Sequence, residues 1–117
     1  MKVVYYHRYA KSGFHIHAYS SADIFYFPDE NLILFREQLG SFGGKDYSFT
    51  ERQELLDEAK SIMQGSGTGI EGVEISNVKE FEYDTEKIKQ LIQDAKSKSE
   101  FETRVRSGIE ELLNQIK

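Results

Sequence analysis

Short apolar and aromatic runs fill the first third of the chain, and the residues between them favour turns. The runs cover residues 2–9, 14–20, 23–27 and 32–35. Their length, their aromatic content and the glycine or proline that separates them predict four β-strands in an antiparallel meander. The last two runs are apolar at consecutive positions, so we expect these two strands to be central in the sheet or covered on both faces.

Apolar residues spaced three or four positions apart predict three α-helices in the rest of the chain. These helices cover residues 51–64, 85–97 and 100–116. Residues 73–83 alternate between apolar and polar side chains, which predicts one irregular strand or two short ones, with a bulge near Asn77. Together these elements predict an α+β fold, in which an N-terminal antiparallel meander of four to five strands packs one face on the three α-helices.

Polar residues at the helix boundaries predict where the helices begin and end. Thr50 with Gln53, and Ser99 with Glu102, have the spacing of a capping box, in which each side chain bonds a free backbone amide of the first turn. Gly65 follows the first helix, at the position where a left-handed residue commonly ends one. The apolar stripes of the last two helices point in different directions, so we expect a break between them.

Length, composition and charge narrow the class of protein. A chain of 117 residues has the length of a single domain, 1–117, and its seven tyrosines and eight phenylalanines can fill a core. It has no cysteine and no apolar stretch as long as a signal peptide or a membrane span, so we expect a soluble cytoplasmic protein without membrane association. The net charge of −5 disfavours binding to a phosphate backbone, so we expect no nucleic-acid partner. The oligomeric state stays open, and a homodimer is allowed.

All three histidines lie on the first two apolar runs. If Gly13 closes a three-residue loop, the two strands pair so that His7 lies opposite His17. Because alternate side chains of a strand share a face, six residues then form one aromatic and polar face. They are Tyr5, His7, Tyr9, His15, His17 and Tyr19. We expect this face to bind a protein partner, since tyrosine offers contact area at a low entropic cost.

The same histidines support a second hypothesis, a hydrolase or nuclease. Three neutral imidazole nitrogens and one water form a zinc site with an open position, which assigns His7, His15 and His17 as metal ligands. Without a metal, the histidines can act in acid–base chemistry. Both versions depend on the loop, because a two-residue turn puts His7 on the opposite face from the other two histidines. A third hypothesis is a nucleotide-type ligand that binds at the sheet under the glycine-rich loop 65–72.

Recognised catalytic patterns are absent from the sequence. It contains no Gly-x-Ser-x-Gly elbow, no His-Glu-x-x-His helix motif and no Walker loop. We therefore expect a small, intracellular, non-catalytic protein that needs no cofactor and that binds and regulates another macromolecule. Inhibitors, immunity proteins, antitoxins and the counter-defence proteins of phages or other mobile elements are of this type.

Overall fold

A five-stranded antiparallel sheet with helices on both faces organises the chain. The computed structural model describes residues 1–11, 19–39, 45–50, 52–65, 67, 72–93 and 95–116, with the backbone alone at 11, 19, 39, 45–50, 91 and 92. The strands are β1 Lys2–Lys11, β2 Tyr19–Phe27, β3 Leu32–Leu39, β4 Lys45–Thr50 and β5 Val73–Glu82. The helices are α1 Gln53–Met63, α2 Thr85–Gln93 and α3 Lys98–Gln115.

The strands follow the order β4-β3-β2-β1-β5, and every neighbouring pair is antiparallel. The first four strands form a meander, and the chain then passes through α1 before β5 pairs with the free edge of β1. The N-terminal strand is therefore an interior strand of the sheet. The predicted α+β class, with a meander of four to five strands and three helices, is confirmed.

The register between β1 and β2 differs from the predicted one. His7 lies opposite Asp23 and not His17, and Tyr5 lies opposite Phe25. Burial explains this register. The pairing brings the Tyr5 and Phe25 rings together in the core, with their centroids 5.1 Å apart. The shift spans an even number of residues, so each β1 side chain keeps its predicted face. The predicted strand 14–20 lies largely outside the described residues, and its described end belongs to β2.

Each face of the sheet has its own hydrophobic core. On one face, which we call the α3 face, sheet residues pack against α2 and α3: Val3, Tyr5, Phe25, Phe27 and Leu34 against Ile88, Val105, Ile109 and Leu112. On the opposite face, the α1 face, they pack against α1: Val4, Tyr6, Ala22, Ile24, Tyr26 and Ile33 against Leu56, Ala59 and Ile62. The prediction that all helices share one face is wrong, because β2 and β3 are apolar at odd and even positions and need cover on both sides. The related prediction that these two strands are covered on both faces is confirmed.

At the two edge strands, one prediction from the sequence is wrong and one is confirmed. β4 occupies Lys45–Thr50, where the sequence pattern predicts no strand and places the cap of the first helix at Thr50. At the other edge, the pairing of β1 with β5 shifts register between Tyr5 and His7. Asn77 has a positive φ of 55° at this point, which confirms the predicted bulge.

The first helix begins later than predicted. Thr50 ends β4 and the N-cap of α1 is Arg52, which makes no side-chain capping bond, so the predicted Thr50–Gln53 box is wrong. Thr50 pairs with Ile33 of β3 and lies two residues before the N-cap, so it is too early in the chain to cap a helix that begins at Gln53. Gly65 has φ +82° and its amide donates to the carbonyl of Ile62 at 3.0 Å, so the predicted glycine stop is confirmed.

The last helix is capped two residues before the predicted position. The Ser97 hydroxyl accepts from the Glu100 amide at 3.1 Å, and a Glu100 carboxylate oxygen accepts from the Lys96 amide at 3.0 Å. This arrangement replaces the predicted box of Ser99 and Glu102 and confirms the break between α2 and α3. Within the described ranges, no helix combines the length and the apolar character that crossing a membrane requires.

Candidate functional site

The α3 face changes from apolar to polar along its strands. Its apolar half lies under α2 and α3, and its polar half forms a depression of about 250 Å³, which we call the polar depression. Its described lining comes from three adjacent strands: His7 of β1, Ser21 and Asp23 of β2, and Arg36 and Gln38 of β3. In the register of the sheet, Asp23 lies directly between His7 and Arg36. Hydrogen-bonded strands therefore position every one of these side chains.

A hydrogen-bonded network forms one side of the depression. The Asp23 Oδ1 atom accepts from the Tyr5 hydroxyl at 2.6 Å, and Oδ2 accepts from Arg36 Nε at 3.0 Å and from its Nη2. The Asp23 and Arg36 side chains are 15% and 21% exposed, so their ion pair is largely shielded from water. Burial, and then the bond to Asp23, raise the pKa of the Tyr5 phenol far above its ordinary value of 10.0. The phenol therefore stays protonated and remains a donor.

The opposite side of the depression offers three further hydrogen-bonding groups. His7 Nε2 lies 2.9 Å from Ser21 Oγ, its diagonal neighbour on β2, and either group can donate according to the histidine tautomer. Gln38 lies opposite Ser21 on β3 and adds a carboxamide. Tyr9 lies opposite Ser21 on β1 and is half-buried at the margin. An imidazole, a hydroxyl and a carboxamide thus stand side by side.

The structure places three of the predicted partner-binding residues on the α3 face. Tyr5, His7 and Tyr9 alternate along β1 and share this face. Tyr5 is only 6% exposed, since its ring belongs to the core and its hydroxyl bonds Asp23. His7 and Tyr9 are half-buried at the polar end. Of these three side chains, Tyr5 therefore belongs to the core, while His7 and Tyr9 are partly accessible to solvent.

The other predicted site residues fall largely outside the described part of the chain. His15 and His17 lie outside the described residues, and Tyr19 is described by its backbone alone. Within the described ranges, no three histidine, aspartate or glutamate side chains are grouped so that they can hold a metal ion. Zinc at His7, His15 and His17 stays a prediction.

The contact between Ser21 and His7 has the spacing of a nucleophile and its general base. A hydrolytic triad also needs a carboxylate that orients the second ring nitrogen of the histidine. Asp23, the carboxylate directly opposite His7, accepts instead from Tyr5 and Arg36. Among the described residues, the depression is therefore a hydrogen-bonding surface and not a complete triad.

Sequence reasoning missed four lining residues as members of the site: Ser21, Asp23, Arg36 and Gln38. For two of these residues, the sequence contains a pattern that indicates their position. Asp23 and Arg36 stand two positions from the buried Phe25 and Leu34, so each continues an apolar face with a charged side chain. Such a change marks the point where a strand face leaves the core. Only the pairing of β2 with β3 shows that the two charged residues lie opposite each other at the end of the apolar core.

Comparison with known proteins finds no match to a family model, to a curated protein or to a solved structure. The functional argument therefore rests on the geometry of the depression. That geometry combines a shielded ion pair, a protonated phenol, an imidazole, a hydroxyl and a carboxamide on an antiparallel sheet.

Proposed function

We propose that this chain is a small non-catalytic protein of the cytoplasm that binds and regulates another protein. The polar depression, with Tyr9 at its margin, is the contact surface in this proposal. The observation that carries it is the bonded network of Tyr5, Asp23 and Arg36, which holds a half-buried polar surface in one geometry. Side chains that are already ordered lose little conformational entropy on binding, so a partner gains more from each contact.

The chemistry of the surface suits a protein better than a nucleic acid. Tyrosine and arginine are enriched at the centres of protein interfaces, and Tyr9 and Arg36 supply both. His7 and Gln38 add hydrogen-bonding groups of the kind that orient a bound partner. A nucleic acid needs unmatched cations, and among the described lining residues the guanidinium of Arg36 is matched by Asp23.

An exposed carboxylate beside the depression favours a partner with a basic surface. Glu74 of β5 lies opposite Tyr9 in the sheet and shares its face. The whole chain carries a net charge of −5. Opposite charge speeds the encounter of two proteins and disfavours acidic competitors. An inhibitor, an immunity protein, an antitoxin or a phage counter-defence protein fits this description.

The proposal is tested by affinity capture from cells that encode the chain. The bait is compared with three variants, His7→Ala, Tyr9→Ala and Gln38→Ala, and with Glu102→Ala on the exposed surface of α3 as the matched control. We expect one protein to be retained by the wild type and the control, and to bind at least about tenfold more weakly to Tyr9→Ala, which corresponds to about 1.4 kcal/mol. A captured protein whose affinity is the same for all four variants contradicts the assignment of this surface.

His7→Ala and three further variants decide between a binding protein and a hydrolase. A fluorophosphonate reagent that labels the wild type, but neither Ser21→Ala nor His7→Ala, would replace our proposal with a serine hydrolase. The zinc hypothesis is tested by the metal content of protein purified without chelator, and stoichiometric zinc that disappears from His15→Ala and His17→Ala would support it. The nucleotide hypothesis predicts thermal stabilisation by one nucleotide of a panel.

A further inference from the structure

The α1 face holds a second cavity, which the proposed function does not use. It has a volume of about 270 Å³ and lies beside the first turn of α1, near Leu55. Its floor is apolar and includes Ala22, Ile24 and Phe35. Arg8, Arg52 and Glu37 also line it, so charged groups of both signs border the same space. A cavity of this size accepts a small molecule and not a folded partner.

One row of paired residues explains the shape of the cavity. Arg8 of β1 lies opposite Ala22 of β2, and Ala22 lies opposite Glu37 of β3. Because neighbouring strands are about 4.8 Å apart, the backbones of Arg8 and Glu37 are separated by about 10 Å. The methyl group of Ala22 fills little of the space between them. The row therefore forms a gap with a cation at one end and a carboxylate at the other.

Hydrogen bonds hold both charged ends in place. Arg8 Nε donates to Glu58 Oε1 of α1 at 2.9 Å, and the Tyr6 hydroxyl donates to the same oxygen at 3.4 Å. The Glu58 side chain is 5% exposed, so a carboxylate shielded from water anchors the guanidinium. At the other end, Glu37 Oε2 accepts from the Ser20 hydroxyl at 2.9 Å. The two charges are thus fixed relative to each other.

We propose that this cavity binds a free α-amino acid with an apolar side chain, such as leucine or phenylalanine. Because Arg8 already donates from Nε to Glu58, the carboxylate of the amino acid bonds the terminal nitrogens of its guanidinium, and the ammonium group pairs with Glu37. Its side chain lies over the next row of the sheet, where Ile24 stands opposite Phe35. A simple anion or a simple cation satisfies only one end of the row, whereas a zwitterion satisfies both. This site lies on the face opposite the polar depression, so its test does not depend on the proposed function.

An NMR titration of the intact chain tests the proposal. The probes are L-phenylalanine and L-leucine, together with 3-phenylpropanoate, which lacks the ammonium group, and 2-phenylethylamine, which lacks the carboxylate. We expect saturable shifts of the Ala22 and Ile24 amides with the amino acids, and at least about tenfold weaker binding of the two truncated probes. The absence of saturable binding at concentrations well above about 1 mM overturns the proposal, and so does equal binding of the truncated probes.

Two variants assign the binding to the row. Ala22→Leu fills the gap and is expected to abolish binding, with circular dichroism as the check that it folds. Glu37→Gln keeps the shape and removes the charge, so it is expected to weaken L-phenylalanine at least about tenfold and to leave 3-phenylpropanoate unchanged. Glu102→Gln is the control for the loss of one surface carboxylate. Equal weakening of both probes by Glu37→Gln shows a general structural effect and contradicts the assignment.

Discussion

Replacing Asp23 with alanine tests the network on which the proposed function rests. The change removes the acceptor of the Tyr5 hydroxyl, bonded at 2.6 Å, and of Arg36 Nε, bonded at 3.0 Å. A hydrogen bond to a charged group contributes about 1.5–3 kcal/mol, and breaking a fully buried ion pair costs about 3–5 kcal/mol. The Arg36 side chain is 21% exposed, so water solvates part of the charge that is left behind. We therefore expect Asp23→Ala to lower the free energy of unfolding by about 2–4 kcal/mol.

Companion variants separate the two bonds. Tyr5→Phe keeps the ring in the core and removes only the hydroxyl, so its expected cost is about 1 kcal/mol. In the Asp23→Ala background this hydroxyl has already lost its acceptor, so Tyr5→Phe should cost less there by about 1 kcal/mol. Glu102→Ala, on the exposed surface of α3, should stay within about 0.5 kcal/mol of the wild type.

Urea unfolding followed by circular dichroism measures these free energies from the midpoint and slope of each transition. Domains of this size unfold with about 5–15 kcal/mol, so the variants should retain enough folded protein for the measurement. The reasoning is refuted if Asp23→Ala costs no more than Glu102→Ala. It is also refuted if Tyr5→Phe costs the same in both backgrounds, because the hydroxyl and the carboxylate then do not interact.

Four further predictions concern single residues elsewhere in the fold. Leu112 is fully buried beneath the sheet, so Leu112→Ala should cost about 2–5 kcal/mol in the same urea assay, and a cost below 1 kcal/mol would contradict its placement. Asn77 has φ 55° at the bulge of β5, so Asn77→Val should cost about 1–2 kcal/mol while Asn77→Gly stays near the wild type. The hydrogen bond from the Lys96 backbone amide, and then that from the Arg104 side chain, lower the pKa of Glu100 below its ordinary 4.5. The contribution of Glu100 to the free energy of unfolding is therefore present above pH 4.5 and lost as the pH falls through the lowered pKa. Carboxyl NMR should show the lowered pKa, and Glu100→Gln should remove this pH dependence of stability. Burial, and then the nearby Glu58 charge, raise the pKa of Tyr6 far above 10.0, so the folded state keeps a proton that the unfolded state loses. Above pH 10 this group should lower the free energy of unfolding by about 1.4 kcal/mol per pH unit, a slope that Tyr6→Phe should reduce.

Local pattern was enough to predict the type and the order of most elements. The turn after β2, the bulge near Asn77 and the stop at Gly65 were all predicted from a few neighbouring residues, because backbone conformation at such points depends on local sterics. Alternation along β1 also placed Tyr5, His7 and Tyr9 on one face. Three of the predicted site residues therefore lie on the face that the sequence pattern gives them.

Long-range packing was needed for the partners of those residues. Side chains alternate with a period of two, so the pattern of one strand is compatible with any even shift of its partner strand. The burial of Tyr5 against Phe25 decides the register that places Asp23, and not His17, opposite His7. The contact of Asp23 with Arg36 depends in turn on the pairing of β2 with β3. Strand register and the division of helices between two faces come from the burial of side chains far apart in the sequence, which short windows of residues do not encode.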